Sequence, residues 1–280
     1  MSLLYSDLPV YVGPPNSDAP GEASRYVAAT EVNVSLSASA GPKRNLGKNI
    51  DTDDQFKFQG PINANISFTA ILDPVFNGGF EFANEDHIDD YFAVKIGKNF
   101  YKKCYLNNFS VSISPFAPVT FRADFISLHP VSGEKILRDP SPYAGTPIPF
   151  DSDDVIYGYT CSVTNMDDVV GNVQSQINYT KEFKRTPVYT LGSTLTDTML
   201  LDGVESKMQI TSTGLQNLIS ISGDKLASDV VVELDNIDGD SITQFPSLTM
   251  SAGARVLTEN YSVNGGETVL ATAEIRQIDL

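Results

Sequence analysis

The chain has 280 residues, of which 41% are hydrophobic, with no Trp, two Cys and a formal net charge of −16. This composition excludes a disordered chain and a small disulfide-stabilised scaffold. The acidity also excludes a nucleic-acid binder that grips phosphates, because such proteins need clustered Lys and Arg. The first 16 residues lack the basic start and apolar core of a signal peptide, and no apolar run is long enough to span a bilayer, so we expect cytosolic synthesis and no membrane contact.

The first half of the chain starts irregularly and then alternates as β-strands do. Residues 1–27, with Pro14-Pro15 and Pro20-Gly21, predict an irregular N-terminal arm. Residues 28–130 predict a first β domain made of a strand, a basic Pro-containing loop, a second strand, an acidic connection and a closing hairpin. These segments are the strand at 31–40, the loop with Lys43, Arg44 and Lys48, the strand at 61–70 and the hairpin at 104–125.

The second half repeats this order after a linker. Residues 131–155 are dense in Pro, Gly, Ser and Asp, which excludes a helix or a central strand and predicts a domain boundary. Residues 156–280 predict a second β domain, and residues 215–228 allow one short helix within it. The matching segments are a strand from 174, a basic loop with Lys181, Lys184 and Arg185, a strand at 204–213 and a hairpin at 255–275.

Three pairs of segments match between the halves in the same order, at offsets of about 143 to 152 residues. Three matches in register favour internal duplication, and a fixed-order repeat is the first thing to seek in a sequence. The sequence therefore predicts an all-β protein with two tandem related β-sandwich or barrel domains, each with at most one short helix.

Convergent titratable residues of the kind that catalysis requires are scarce. The two histidines, His87 and His129, and the two cysteines, Cys104 and Cys161, are far apart in sequence and lack metal-ligand spacing. Acidic clusters offer oxygen ligands for calcium, with solvated loop charge as the alternative interpretation; they lie at 51–54, 85–90, 151–154 and 235–240. We expect no catalytic residue, no cofactor and no metal site, and predict that the protein is not an enzyme.

The repeated order of strand, basic loop, strand, acidic connection and hairpin, over residues 28–128 and 170–280, resembles the tail-tube superfamily of tailed bacteriophages and related contractile machines. The resemblance implies that six such domains close a ring, that strands of neighbours line a continuous inner barrel, and that rings stack into a tube. Two tube-like domains in one chain, as in certain long-tailed phage tube proteins and baseplate hub proteins, imply a trimer with pseudo-sixfold symmetry.

The function implied by this resemblance is that of a structural virion protein of a phage tail, made in the host cytoplasm. Its partners would be copies of itself and other tail proteins, with DNA passing through without specific binding, for which an acidic wall is expected. The predicted contacts between rings are the two basic loops, at Lys43, Arg44, Lys48, Lys181, Lys184 and Arg185. A baseplate hub, tube initiator or adaptor ring is one alternative, and a β-sandwich adhesin or carbohydrate-binding module is another.

Overall fold

A computed structural model describes residues 10–16, 25–27, 29–42, 57–72, 85–97, 99–129, 137–138, 155–164, 174–191, 196–213, 225–234, 248–262 and 270–279. Regular structure in these ranges is almost entirely β-strand, which confirms the all-β prediction. Two single 3-10 turns, Glu85–His87 and Gly158–Thr160, are the exceptions among the described residues. No helix in the described part of the chain is long and apolar enough to cross a membrane.

The strands of the first half are β1 (Val10–Val12), β2 (Arg25–Val27), β3 (Ala29–Pro42), β4 (Lys57–Ile71), β5 (Phe92–Ile96), β6 (Asn99–Ile113), β7 (Thr120–His129) and β8 (Leu137–Arg138). Those of the second half are β9 (Ser162–Thr164), β10 (Gln174–Tyr189), β11 (Thr196–Thr213), β12 (Val230–Glu233), β13 (Leu248–Met250), β14 (Arg255–Ser262) and β15 (Leu270–Asp279).

One antiparallel sheet runs through both halves, in the strand order β3-β4-β7-β6-β10-β11-β15-β14. Its strands are amphipathic with a period of two, as β4 illustrates: Ile66 and Phe68 are buried, whereas Asn65 and Ser67 point to the opposite face. This alternation gives the sheet one apolar face and one face of polar side chains, which we call the polar face.

The sheet consists of two four-strand units with the same internal order. We call β3, β4, β7 and β6 the first unit and β10, β11, β15 and β14 the second; in each, the strands lie in the order first, second, fourth, third. A β-bulge interrupts the first strand of each unit near its start, and another interrupts the third strand. These bulges lie between Ala29 and Glu31, between Gln174 and Gln176, between Leu106 and Asn108, and between Val256 and Thr258.

Smaller strand groups cover the apolar face. In the first half β5, β1 and β2 continue from the beginning of β6, and Phe92 of β5 packs against Phe125 of β7 with ring centroids 6.4 Å apart. In the second half β13, β12 and β9 form a separate three-stranded sheet. Residues from both smaller groups join one continuous core, which gives a sandwich-like arrangement.

The structure confirms the two predicted hairpins and corrects other expectations. Residues 104–125 and 255–275 fall on the hairpins β6–β7 and β14–β15. The irregular arm expected over residues 1–27 instead contains β1 and β2, because the apolar side chains of Val10 and Val12 are buried in the core. Within the predicted linker, β8 pairs with β6, and most other residues of that segment lie outside the described ranges. Of the possible helix at 215–228, only 225–228 are described, and they form a bridge and bends.

Phe68→Ala should destabilise the protein by about 3–5 kcal/mol, because large-to-small substitution in a packed core loses contacts and leaves a cavity. Phe68 is 1% exposed, and its ring stacks on Phe125 at 6.0 Å. The matched control is Thr69→Ala, on the polar face of the same strand, which should change stability by about 0.5 kcal/mol or less. Urea unfolding followed by tyrosine fluorescence measures both; equal effects would contradict the assignment of faces.

Candidate functional site

The joint between the two units is the best-defined feature with functional potential. Six residue pairs link β6 to β10, from Asn108–Glu182 to Ile113–Ile177. The joint has the same two-faced character as the rest of the sheet. Val111 and Tyr179 are buried on its apolar side, and on its polar side the Ser112 hydroxyl donates to the Asn178 Oδ1 at 2.9 Å. Backbone hydrogen bonding therefore continues from one unit into the next without an intervening edge.

The basic residues predicted from sequence occupy two different situations. Lys43, Arg44 and Lys48 lie outside the described residues. Lys181, Lys184 and Arg185 lie within β10, so the prediction that they form a loop is wrong. The strand persists because Tyr179, Lys181 and Phe183 alternate onto its buried face. Pro187 is tolerated because β10 has left β6 at that point and pairs only with β11 in the described structure, so the missing N–H costs no ladder bond on the open side.

Arg185 fastens the second unit to the first just beyond the last β6–β10 pair. Its guanidinium donates to the backbone carbonyl of Leu106 at 2.9 Å and to that of Ile88. The same group lies over the rings of Tyr105 and Phe183, 5.5 and 5.8 Å from their centroids. Burial lowers the pKa of Arg185, and the carboxylate of Asp89 opposes that shift. Arg185 thus connects β10 with two segments of the first half.

The side chains near Arg185 form a small second core. Tyr105, Leu128 and Met199 are buried together, so that the distal part of the β10–β11 hairpin covers β6 and β7. The Tyr105 hydroxyl lies 3.5 Å from the Thr198 Oγ1. These apolar contacts exclude water from the Arg185 hydrogen bonds, which strengthens them. The hairpin therefore contributes a second contact between the units in addition to strand pairing.

A buried carboxylate with three cationic neighbours lies on the polar face of the second unit. The Glu205 side chain is 3% exposed; Lys184 Nζ approaches it at 2.9 Å, Lys207 Nζ at 3.0 Å and Arg276 Nε at 2.6 Å. The hydrogen bond from Lys184 lowers the pKa of Glu205 most, with help from Lys207 and Arg276 against burial, to about 2. Lys184 is therefore engaged within the chain.

Uncharged polar side chains dominate the polar face of all eight strands. Cross-strand neighbours on this face include Asn33 with Ser67, Ser112 with Asn178, Thr180 with Ser110, Asn178 with Gln209 and Thr272 with Asn260. Acidic and basic side chains occur there in similar numbers, namely Glu31, Asp124, Glu182, Glu205 and Glu274 beside Arg122, Lys184, Lys207, Arg255 and Arg276. A shallow cavity of about 260 Å³ lies on this face of the first unit, between β3, β4 and β7.

Titratable residues that a chemical site would need are dispersed in the described structure. No group of three or more His, Cys, Asp and Glu side chains there is arranged to hold a metal ion. Cys104 and Cys161 form no disulfide, and burial raises the pKa of the Cys104 thiol to about 12, which keeps it protonated and unreactive. His87 Nδ1 lies 2.7 Å from Asp90 Oδ2, and Asn16 Nδ2 donates to the other oxygen of the same carboxylate, Asp90 Oδ1, at 2.6 Å. The acidic clusters at 51–54, 151–154 and 235–240 lie outside the described residues.

No known protein family matches this sequence, and no curated protein is similar to it at a significant level.

Sequence reasoning missed the joint, the role of Arg185 and the Glu205 ion cluster. Alternation of Ile177, Tyr179, Lys181 and Phe183 indicates a long strand, whereas the local density of basic residues and Pro187 indicates a loop. No local signal marks Glu205 as buried, because its three cationic partners come from three different strands.

Arg185→Lys should weaken the contact between the units, because an ammonium group cannot donate in the same fork to two carbonyls. We expect a loss of about 1–3 kcal/mol in unfolding free energy, the range for an unsatisfied buried acceptor. Hydrogen exchange should accelerate at the amides of 108–113 and 177–182. Arg255→Lys, at an exposed arginine, is the control. Unchanged exchange at the joint in Arg185→Lys would contradict the proposed role.

Glu205→Gln should reduce stability at neutral pH, with a difference from the native chain that shrinks at low pH. A folded-state pKa lowered from 4.5 to about 2 stabilises the fold above pH 4.5, and this contribution is lost as the pH falls toward 2. Thermal melts of both proteins from pH 7 to pH 2 measure this difference in stability. Glu182→Gln, at an exposed neighbouring carboxylate, is the control. A constant difference across this range would rule out the ion cluster as its source.

Proposed function

We propose that this chain is a structural protein of a phage tail that assembles into three-copy rings enclosing a channel for DNA. The observation that carries the proposal is the edge-to-edge joint of two units that have the same strand order and have bulges at corresponding places in their first and third strands. Bulges are retained as specific structural features, so bulges shared at corresponding places favour a common origin of the two units by duplication. A unit that joins its own copy within the chain is suited to join further copies.

Exposed sheet edges support assembly. Among the described residues, β3 and β14 each have one long side without a ladder partner, at the two ends of the eight-strand order. Such edges invite pairing with other chains unless they are covered or charged. Pairing of β3 of one copy with β14 of the next would be head-to-tail, and such a contact closes a ring when the rotation per copy divides the circle.

A ring of three copies would be wide enough to enclose a channel for DNA. Three copies with eight strands each would give a closed sheet of twenty-four strands. At about 4.8 Å between strands, its diameter between opposite backbones would be about 37 Å, and strand tilt would widen it. That width leaves room for a DNA duplex after inward-pointing side chains are included.

The character of the polar face supports passage of DNA without specific binding. Asn, Ser, Thr and Gln dominate this face, and the group of cations on it, Lys184, Lys207 and Arg276, is engaged by the Glu205 carboxylate, which leaves those cations less available to phosphates. The described polar face is close to neutral, so the acidic wall expected from the net charge is not concentrated there. On this proposal the polar face lines the channel, the apolar face packs under the outer strands, and copies of the chain and other tail proteins are the partners.

Mass photometry and negative-stain electron microscopy of the purified protein test the proposal. We expect particles of three copies, which would appear as rings with six similar lobes and an open centre. Stacked tubes would identify the protein as the tube component, and single rings as a hub or adaptor. A monomer at every protein and salt concentration, including after addition of preformed tail tube ends, would overturn the proposal.

A further inference from the structure

We infer that β14 of one copy pairs antiparallel with β3 of the next copy, in the register that places Asn260 opposite Ser35. This inference rests on the proposed function and adds to it the surface and the register of the contact between copies. Its template is the joint inside the chain, where the third strand of the first unit pairs with the first strand of the second.

The bulges define corresponding positions in the first strands of the two units. Glu31 and Gln176 each directly follow a bulge, and each lies opposite a threonine on the next strand. Counting four residues onward from each makes Ser35 the counterpart of Thr180. The correspondence depends on observed strand pairing and does not use sequence similarity.

The third strands are aligned in the same way. Asn108 and Thr258 each follow a bulge, and each lies opposite the acidic residue of the fourth strand, Asp124 or Glu274. Two residues onward, Asn260 is the counterpart of Ser110. Ser110 pairs with Thr180 in the joint inside the chain, so Asn260 is expected to pair with Ser35 between copies.

The open part of β14 matches the part of β6 that makes the joint. The beginning of β6 is occupied by β5, and β10 pairs with residues 108–113 beyond it. The beginning of β14 is likewise occupied, by a bridge from Lys225 to Arg255. In the described structure the side of β14 away from β15 then has no strand partner over 258–262, which are the counterparts of 108–112.

The side chains of β3 on the apolar side are less buried than their counterparts in β10, which pairs with β6. In β10 the residues that face the apolar side of the joint are buried, with Ile177 4%, Tyr179 3% and Lys181 8% exposed. Their counterparts in β3 are Val32 and Val34, which are partly buried, and Leu36, which is 51% exposed. A neighbouring copy paired with this edge would cover Leu36, as β6 covers Lys181 in the joint within the chain.

The joint between copies differs from the joint within the chain in one respect. Arg185 lies nine residues past Gln176, and its counterpart nine residues past Glu31 is Ala40, whose methyl group cannot donate to a carbonyl. The contact between copies therefore lacks the guanidinium fastening and should separate at low protein concentration, whereas the two units of one chain stay joined.

Disulfide trapping tests the register. Residues directly opposite in an antiparallel pair have Cα atoms about 4.5–5.5 Å apart, within disulfide range, whereas diagonal neighbours at about 7–8 Å are beyond it. In a Cys161→Ser background, Ser35→Cys with Asn260→Cys should give covalent trimers on non-reducing gels after mild oxidation. Asn33→Cys with Asn260→Cys, a diagonal pair on the same face, should give at least tenfold less, and each single cysteine variant none.

Mass photometry of the same samples separates the two ways of failing. Rings that form while the diagonal pair cross-links as well as the direct pair would overturn the inference and leave the proposed function standing. Absence of rings and of cross-links would overturn both.

A charge in the interface gives an independent test. Leu36→Asp should raise the protein concentration at half-assembly at least tenfold without lowering the melting temperature of the dissociated chain, since Leu36 is already exposed there. Leu200→Asp is the matched control, because Leu200 is 57% exposed on a strand away from the edge. Equal effects of the two substitutions, or no effect of Leu36→Asp, would overturn the inference.

Discussion

Hydrogen bonding between β6 and β10 is the contact on which the organisation of this protein depends. It converts two four-strand units into one sheet and continues both the apolar and the polar face from one unit to the next. Without it, each unit would expose a strand edge in the middle of the molecule, with the aggregation hazard that such edges carry. Arg185 and the second core around Tyr105 then hold the units at one relative position.

The two units have the same strand order but differ in the side chains at corresponding positions. Glu205 and its cations have no charged counterpart set in the first unit, where Asn63, Asn65 and Ile126 occupy the corresponding positions. Arg185 likewise has Ala40 as its counterpart. The joint inside the chain can be permanent because β6 and β10 belong to the same chain, so that their pairing does not depend on protein concentration. On the proposed function, a joint between copies has to form during assembly, and a weaker contact there would allow a misplaced copy to dissociate.

The net charge of the chain and the charge of its polar face are separate quantities. The chain carries −16 overall, yet the described polar face holds acidic and basic side chains in similar numbers. Most of the excess acidity therefore belongs to residues outside the described polar face, and a net charge of this size favours solubility. On the proposed function, DNA would meet mainly neutral hydroxyl and amide groups, which bind phosphate weakly and cost little to slide past.

The sequence by itself determined the all-β class, the two closing hairpins and the order of the repeated segments. Each of these follows from local alternation and turn chemistry, as residues 104–125 and 255–275 illustrate. The alignment of the repeats by sequence is off by one residue in the second strand. Pairing Gly60 with Gly203 matches buried Ile66 with exposed Gln209. In the sheet, the counterpart of Ile66 is Met208, because these two residues lie opposite the matched residues Phe125 and Ile275.

Only the tertiary structure decided that β10 runs through Lys181, Lys184 and Arg185, that it joins β6, and that Glu205 is buried. These features depend on contacts between residues 21 to 97 positions apart, such as Lys184 with Glu205 and Arg185 with Ile88. Local patterns contain no information on such partners, because the free energy that stabilises a buried carboxylate or a strand joint comes from neighbours that the chain brings together only on folding.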